Sequence, residues 1–430
     1  MNYQERLLRV IPGGAHTYSR GFDQFPANAP QILARGKGAY VFDPEGNRFL
    51  DYGMALRAVN IGYAEDEIDA AAIRQIQNGN NLTRASLVEL EAAELLVGLI
   101  DSVDMVKFTK NGSTSVSAAV KLSRAYTGRD MVARCAEHPF FSYDDWFIGS
   151  TPLTRGIPQD TIEKTKIFHY NDIASLEAVL DQYPGQFACV VLEPAATEEP
   201  KDGFLQRVQE LCQKKGIVFV LDEMITGFRW HMKGAQHTYG VQPDLCTFGK
   251  AMANGFSVSC VAGRREIMEL GSIEFEGRER LFLLSTTHGA EMSGLGAFVA
   301  TMDFMQRNMV VEHLWDYGQR MMAMMRRQAE AHGVEHSFMI DGIPCSPYYL
   351  TLDAAGANSL ALRTLFSQEM IRNGVLMPWI ALSYRHGDEE LAATERALSQ
   401  ALVTYRRALD DGVEEYLEGH VIKPVFRKHN

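Results

Sequence analysis

GIVFVLDEMITGFR (216–229) contains an unbroken apolar run at 217–221 that stops on an acid, Asp222. Apolar runs without alternation are the pattern of parallel strands covered on both faces. FACVVLEP (187–194) repeats that pattern, and Phe204–Lys215 between the two has helical spacing. Working back, 173–183 places Leu176, Val179, Leu180 and Tyr183 on one helix face. VSAAVKLSRAYTGR (116–129) reads as a helix closed near Gly128, and VKF (106–108) as a short strand. SLVELEAAELLVGLI (86–100) opens on Ser86 and Glu89, a capping box, and continues with apolar residues at helical spacing. Strand and helix therefore alternate, which predicts an α/β protein with a large, doubly wound, mainly parallel sheet.

From about residue 311 the pattern changes. Long helices at 312–331, 359–373 and 388–409 flank short strand-like pieces near 348–352 and 375–377. YVFDPEGNRFLDY (40–52) reads as a hairpin around Glu45-Gly46-Asn47. The expected division is a large domain at 61–315 and a smaller α+β domain built from 1–60 and 316–430. With 430 residues the chain can bury a large core. A net charge of −12 argues against general binding to nucleic acid or anionic membranes, while leaving room for a local anion pocket. Six scattered cysteines without a CxxC pair suit a reducing compartment. MNYQERLLRVIPGG lacks the apolar core of a signal peptide, and no apolar run reaches the length of a membrane span, so a soluble cytoplasmic protein is expected.

PDLCTFGKAMANG (243–255) offers Lys250 in a glycine-flanked turn, 28 residues after Asp222. Singly, these are a surface lysine and a turn acid. As a pair they suit pyridoxal phosphate (PLP): the amine condenses with the cofactor aldehyde, and the carboxylate keeps the pyridine nitrogen protonated so the ring absorbs electrons. KNGSTSVSAAVKLSRA (110–125) adds Gly112, Ser113 and Thr114 between a strand and a helix, where free amides and hydroxyls form an anion site.

The order NGSTS, EP, LDEMITGFR, PDLCTFGK, STTHGAE resembles class III PLP-dependent aminotransferases, in particular the branch of glutamate-1-semialdehyde 2,1-aminomutase. The resemblance runs from IPGGAHTYSRGF (11–22) to about LSYRHGDEEL (382–391), and LDExxTGFR with PD…GK is its specific part. It implies the aspartate-aminotransferase-like PLP-dependent transferase fold. It also implies amino transfer between a donor and a carbonyl acceptor through a Lys250 Schiff base and pyridoxamine phosphate. By position, Lys250 and Asp222 become catalytic, and Gly112, Ser113 and Thr114 become the phosphate turn. Phe140 becomes the aromatic on the pyridine ring, and Thr286 reaches the phosphate of the neighbouring subunit, which implies a homodimer with shared sites. Arg20 becomes the partner of the substrate carboxylate.

The chain departs from the family in three places. The phosphate turn, usually Ser-Gly-Thr-Glu, is Gly112-Ser113-Thr114-Ser115; Tyr-His-Gly is Phe140-Phe141-Ser142; and Gly-Asn-Pro is Gly289-Ala290-Glu291. The best-matching branch favours an aminomutase, while the changes at 112–115 and 140–142 favour a transaminase for another carbonyl substrate, and transamination is placed ahead. A PLP lyase or racemase remains compatible with the motifs; a non-catalytic relative would be expected to lack Lys250 or Asp222. Arg57, Arg229 and Arg385 read as ion-pair partners, Glu193 as a strand-ending residue and Glu223 as fold support. His332 and His336 have i, i+4 spacing without the acidic pattern of a metal site, and no metal is expected. Met321, Met322, Met324 and Met325 read as a helix packing face.

Overall fold

The computed structural model describes residues 1–429. The chain forms two compact units, one of Met1–Glu65 with Glu312–Arg427, the other built on Asp66–Val311.

The second unit holds a seven-stranded sheet. Its strands are β1 (Met105–Thr109), β2 (Met131–Cys135), β3 (Thr165–Phe168), β4 (Phe187–Leu192), β5 (Val218–Asp222), β6 (Leu245–Phe248) and β7 (Ser259–Gly263). They lie in the order β1-β7-β6-β5-β4-β2-β3. Pairings from β6 to β3 are parallel, and β7 runs antiparallel to both its neighbours. The helices that matter below are α1 (Leu87–Leu99), α2 (Gly112–Thr127), α3 (Ile173–Gln182), α4 (Phe204–Lys215) and α5 (Met292–Arg307). Every residue of β4 and β5 is buried, as their unbroken apolar runs predict. One core layer joins β2, β4 and β5 to α3 and α4 through Leu176, Leu180, Val190, Leu205, Val208 and Phe219.

Local signals account for most element ends. Gly128 closes α2 in the left-handed conformation at φ 67°. Ser86 accepts the Glu89 amide, so α1 has half of the expected capping box; no return bond from the Glu89 side chain forms. α2 begins at Gly112, four residues before the apolar pattern does, because Asn111 caps it.

In the first unit, Tyr40–Phe42 and Arg48–Asp51 form the expected hairpin, flanked by Arg35–Lys37 and, in parallel, by Val375–Leu376. A second hairpin pairs Phe338–Ile343 with Ser346–Thr351. Met321, Met322, Met324 and Met325 are buried, as a packing face requires. Arg385 pairs with Glu65 through two bonds of 3.0 and 2.6 Å. All six cysteines are buried, and none is in a disulfide. No helix among the described residues is long and apolar enough to cross a membrane.

Candidate active site

Three strand-to-helix junctions of the sheet meet around one side chain, Met224. A Cβ on Gly112, at the start of α2, would lie 2.8 Å from Met224 Sδ. A Cβ on Gly249, just after β6, would lie 2.6 Å from the same sulfur and 2.5 Å from Ser259 Oγ. Glycine at both places lets the turns after β1 and β6 close on the end of β5, at the carboxyl edge where parallel sheets take ligands.

β5 delivers Asp222 to this point, 2 % exposed. Its Oδ1 accepts the Met224 amide at 3.0 Å and the Thr247 hydroxyl at 2.9 Å. Oδ2 accepts no hydrogen bond from the described residues. Burial pushes the Asp222 pKa up to about 6, opposed by the nearby positive charge of Lys250 and by the bonds from Thr247 and Met224. Lys250 opens the short helical turn Lys250–Ala253 at φ 45°, a left-handed conformation unusual for a residue with a Cβ.

The turn after β1 is held from within. Asn111 Oδ1 accepts the Thr114 amide at 2.9 Å and the Thr114 hydroxyl at 3.0 Å. The amides of Gly112 and Ser113 stand in the first turn of α2, where backbone donors and the helix dipole favour an anion. Ser113 Oγ accepts the Tyr143 amide at 3.1 Å, and the Tyr143 hydroxyl lies 3.4 Å from Thr114 Oγ1. Asn111 and Tyr143 thus belong to the turn and were missed in the sequence. The polar residue preceding Gly112 was the available signal for Asn111. Ser115, placed at the family's glutamate, points inward and lies 2.7 Å from Thr109 Oγ1.

Other candidates lie further out. Phe140 is 47 % exposed, with its ring edge-on to Phe147 at 5.8 Å. Thr286 is exposed on the loop before α5. Arg20 is exposed in the first unit, on the turn Tyr18–Arg20, close enough to Tyr63 for its charge to act on that hydroxyl. Glu193, Arg229 and Glu223 are buried. The Glu223 carboxylate takes the amides of Ala235 and Gln236, both at 2.9 Å, which is a supporting role.

His138, after β2, is 1 % exposed, and its Nδ1 accepts the Glu193 amide at 3.0 Å. Burial drives its pKa down to about 3. The native state keeps His138 neutral while the unfolded chain protonates near 6.5. Its contribution to stability is therefore full above 6.5 and is lost as pH falls toward 3, by up to about 1.4 kcal/mol per pH unit. A His138→Gln variant, melted across that range, should show a shallower acid limb than the parent; an equal slope would refute the assignment.

Glycine-lined amides at a helix start, a primary amine and a buried acid with one idle oxygen fit a ligand carrying a phosphate, an aldehyde and a basic ring nitrogen. Residues 23–342 match the aminotransferase class-III family. The 3-aminobutyryl-CoA aminotransferase of Cloacimonas acidaminovorans (strain Evry) is 32% identical over 420 residues, 95% of this chain and 98% of the relative. The PLP form of the FumI protein of Sphingopyxis sp. MTA144 superposes with TM-score 0.86 at 25% identity, over 95% of this chain and 97% of that one. A glutamate-1-semialdehyde-aminomutase of Pseudomonas aeruginosa PAO1 shares the fold, with TM-score 0.81 at 20% identity over 94% of each chain.

Proposed function

Because this chain belongs to the aminotransferase class-III family, we propose that the junction around Met224 is the PLP site of an aminotransferase. When bound, the cofactor supplies an aldehyde that takes up amino groups and a ring that accepts the electron pair left at the substrate carbon. Lys250 Nζ would anchor it covalently. Displaced by the amino substrate, that amine would take the proton from the nitrogen-bearing carbon and deliver it to the carbon of the former aldehyde, the shift that leaves the nitrogen behind. Asp222 would hold its negative charge against the ring nitrogen through Oδ2. The first turn of α2, at Gly112, Ser113 and Thr114, would take the phosphate. The single observation that carries this reading is the meeting of Lys250, Asp222 and Gly112 at three neighbouring junctions of one sheet.

Phe140 would cover the ring, and Arg20 would receive a substrate carboxylate. Thr286 would reach the phosphate in a second copy of the chain. Ile73, Ile76, Leu87, Leu90 and Phe282 are exposed apolar residues of the same unit, which suits burial in a homodimer. Six buried thiols suit the cytoplasm.

We place intermolecular transamination ahead of aminomutase chemistry, since the 32% identical relative is named for the former. Its substrate name puts the amine on the third carbon of an acyl thioester, so 3-aminobutyryl-CoA and free β-amino acids are the first donors to try. The test is the visible spectrum of purified protein, with donors added one at a time. A yellow band, absent in Lys250→Ala and bleached by one donor, is expected. Protein that stays colourless with added PLP would overturn the reading. Product analysis separates the alternatives: transamination leaves pyridoxamine phosphate and a stoichiometric oxo product, whereas an aminomutase returns an isomer of glutamate-1-semialdehyde.

A further inference from the structure

The departure at Gly289-Ala290-Glu291 has a structural counterpart next to the phosphate turn. Lys110, the residue before Asn111, pairs with Glu291 at 2.8 Å, with the two side chains only 24% and 30% exposed. Asn80 Nδ2 donates to the other oxygen of Glu291 at 2.8 Å. Asn80 also satisfies the start of α5: its Oδ1 accepts the Ser293 amide at 3.0 Å and its carbonyl the Met292 amide at 2.7 Å. Asn80 itself sits at φ 54°, which asparagine tolerates better than most residues. Glu291 stands at the N-cap of α5 without capping it, and its carboxylate turns instead to Lys110.

The loop so tied is the one bearing Thr286. Asn81 Nδ2 donates to the Thr287 carbonyl at 3.1 Å, and the Gly289 amide to the Thr286 carbonyl at 3.2 Å. A Cβ on Gly289 would come within 2.5 Å of Thr286 Oγ1, so glycine there leaves that hydroxyl its position. At the other end, the Lys110 carbonyl accepts the Ser257 hydroxyl at 2.6 Å, which binds the segment after Lys250 to the same residue.

We propose that Glu291, gripped by Lys110 and Asn80, is a positioning residue for cofactor phosphate, tying the Thr286 loop, which would reach the phosphate in a second copy, to the strand end that carries this chain's own Gly112–Thr114 turn. This rests on the reading that both segments receive a phosphate monoester. A well-formed ion pair can reach about fivefold in an equilibrium constant.

The test is titration of apo-protein with PLP, followed by absorbance. Glu291→Gln should raise the dissociation constant about fivefold. Lys110→Met should weaken binding by a similar factor, and Lys110→Met with Glu291→Gln should be no weaker than either single variant, which independent losses of packing would not give. Gly289→Ala, which leaves the ion pair in place but displaces the Thr286 hydroxyl, should weaken binding by a similar factor. Parental affinity in Glu291→Gln or in Gly289→Ala, or a double variant weakened by the product of the two single effects, would overturn the proposal. Failure of the parent itself to bind PLP would instead overturn the assignment of the site.

Discussion

Lys250→Ala is expected to lose turnover by about ten-thousandfold while keeping its fold. The loss combines the covalent anchor with the base that moves the proton, and a positioned base alone accounts for up to that factor. The fold should survive because the cost of φ 45° belongs to any residue with a Cβ, lysine and alanine alike. A thermal midpoint within a few degrees of the parent, no yellow band, and no bleaching with any donor form the expected result. Lys250→Arg is the sharper control. It retains a positive charge near Asp222 but offers no amine that condenses with an aldehyde, so it should be as inactive as the alanine variant. Activity above a tenth of the parent in either variant would remove Lys250 from the chemistry. Retention of the biological role by a catalytically dead Lys250→Ala would favour a regulatory protein on this fold.

The features legible in the sequence are those fixed by local physics. β4 and β5 announce themselves because strands covered on both faces cannot alternate, and Asp222 is conspicuous because an acid ends such a run. Phe204–Lys215 agrees at both ends, since its apolar spacing and Gly216 bound it. Features set by distant partners stay hidden. Antiparallel β7 between β1 and β6 is a matter of strand order, which periodicity does not encode. Phe338–Ile343 was missed as a strand because Met339 fills an outward position, so FMIDGI does not alternate in sequence, and because it carries Asp341 and Gly342. Residues 54–57 adopt left-handed φ in succession without a glycine. Their support is tertiary: Asp51 accepts the amides of Gly53 and Met54, and Tyr63, which donates to Asp51 at 2.6 Å, accepts the Ala55 amide. In the same way Met224 reads as one more apolar residue until Gly112 and Gly249 are seen to pack on it.

Asp222→Asn should make the apo-protein more stable and the enzyme far slower. Asparagine keeps the shape, and its Oδ1 can still accept from Thr247 and Met224. What it removes is a charge that the fold holds at a cost. An acid raised from 3.8 to about 6 by burial binds its proton more tightly in the native state than in the unfolded chain. Its effect on stability is therefore most favourable below 3.8 and is lost as pH rises through 6, by about 3 kcal/mol in all. The asparagine variant has no such loss, so its melting temperature at pH 7 should rise relative to the parent, and the difference should shrink toward pH 4. This slope is opposite in sign to that of His138, so the two groups can be told apart in one series of melts. Turnover should fall by roughly a hundred- to a thousandfold, the scale on which one preorganised electrostatic partner acts. Added PLP should stabilise the parent more than the variant, because the charge Asp222 carries at a cost is repaid only by a protonated ring nitrogen. An asparagine variant with parental turnover would show that Asp222 serves the fold alone; one that is less stable at pH 7 would show that Lys250 outweighs the burial.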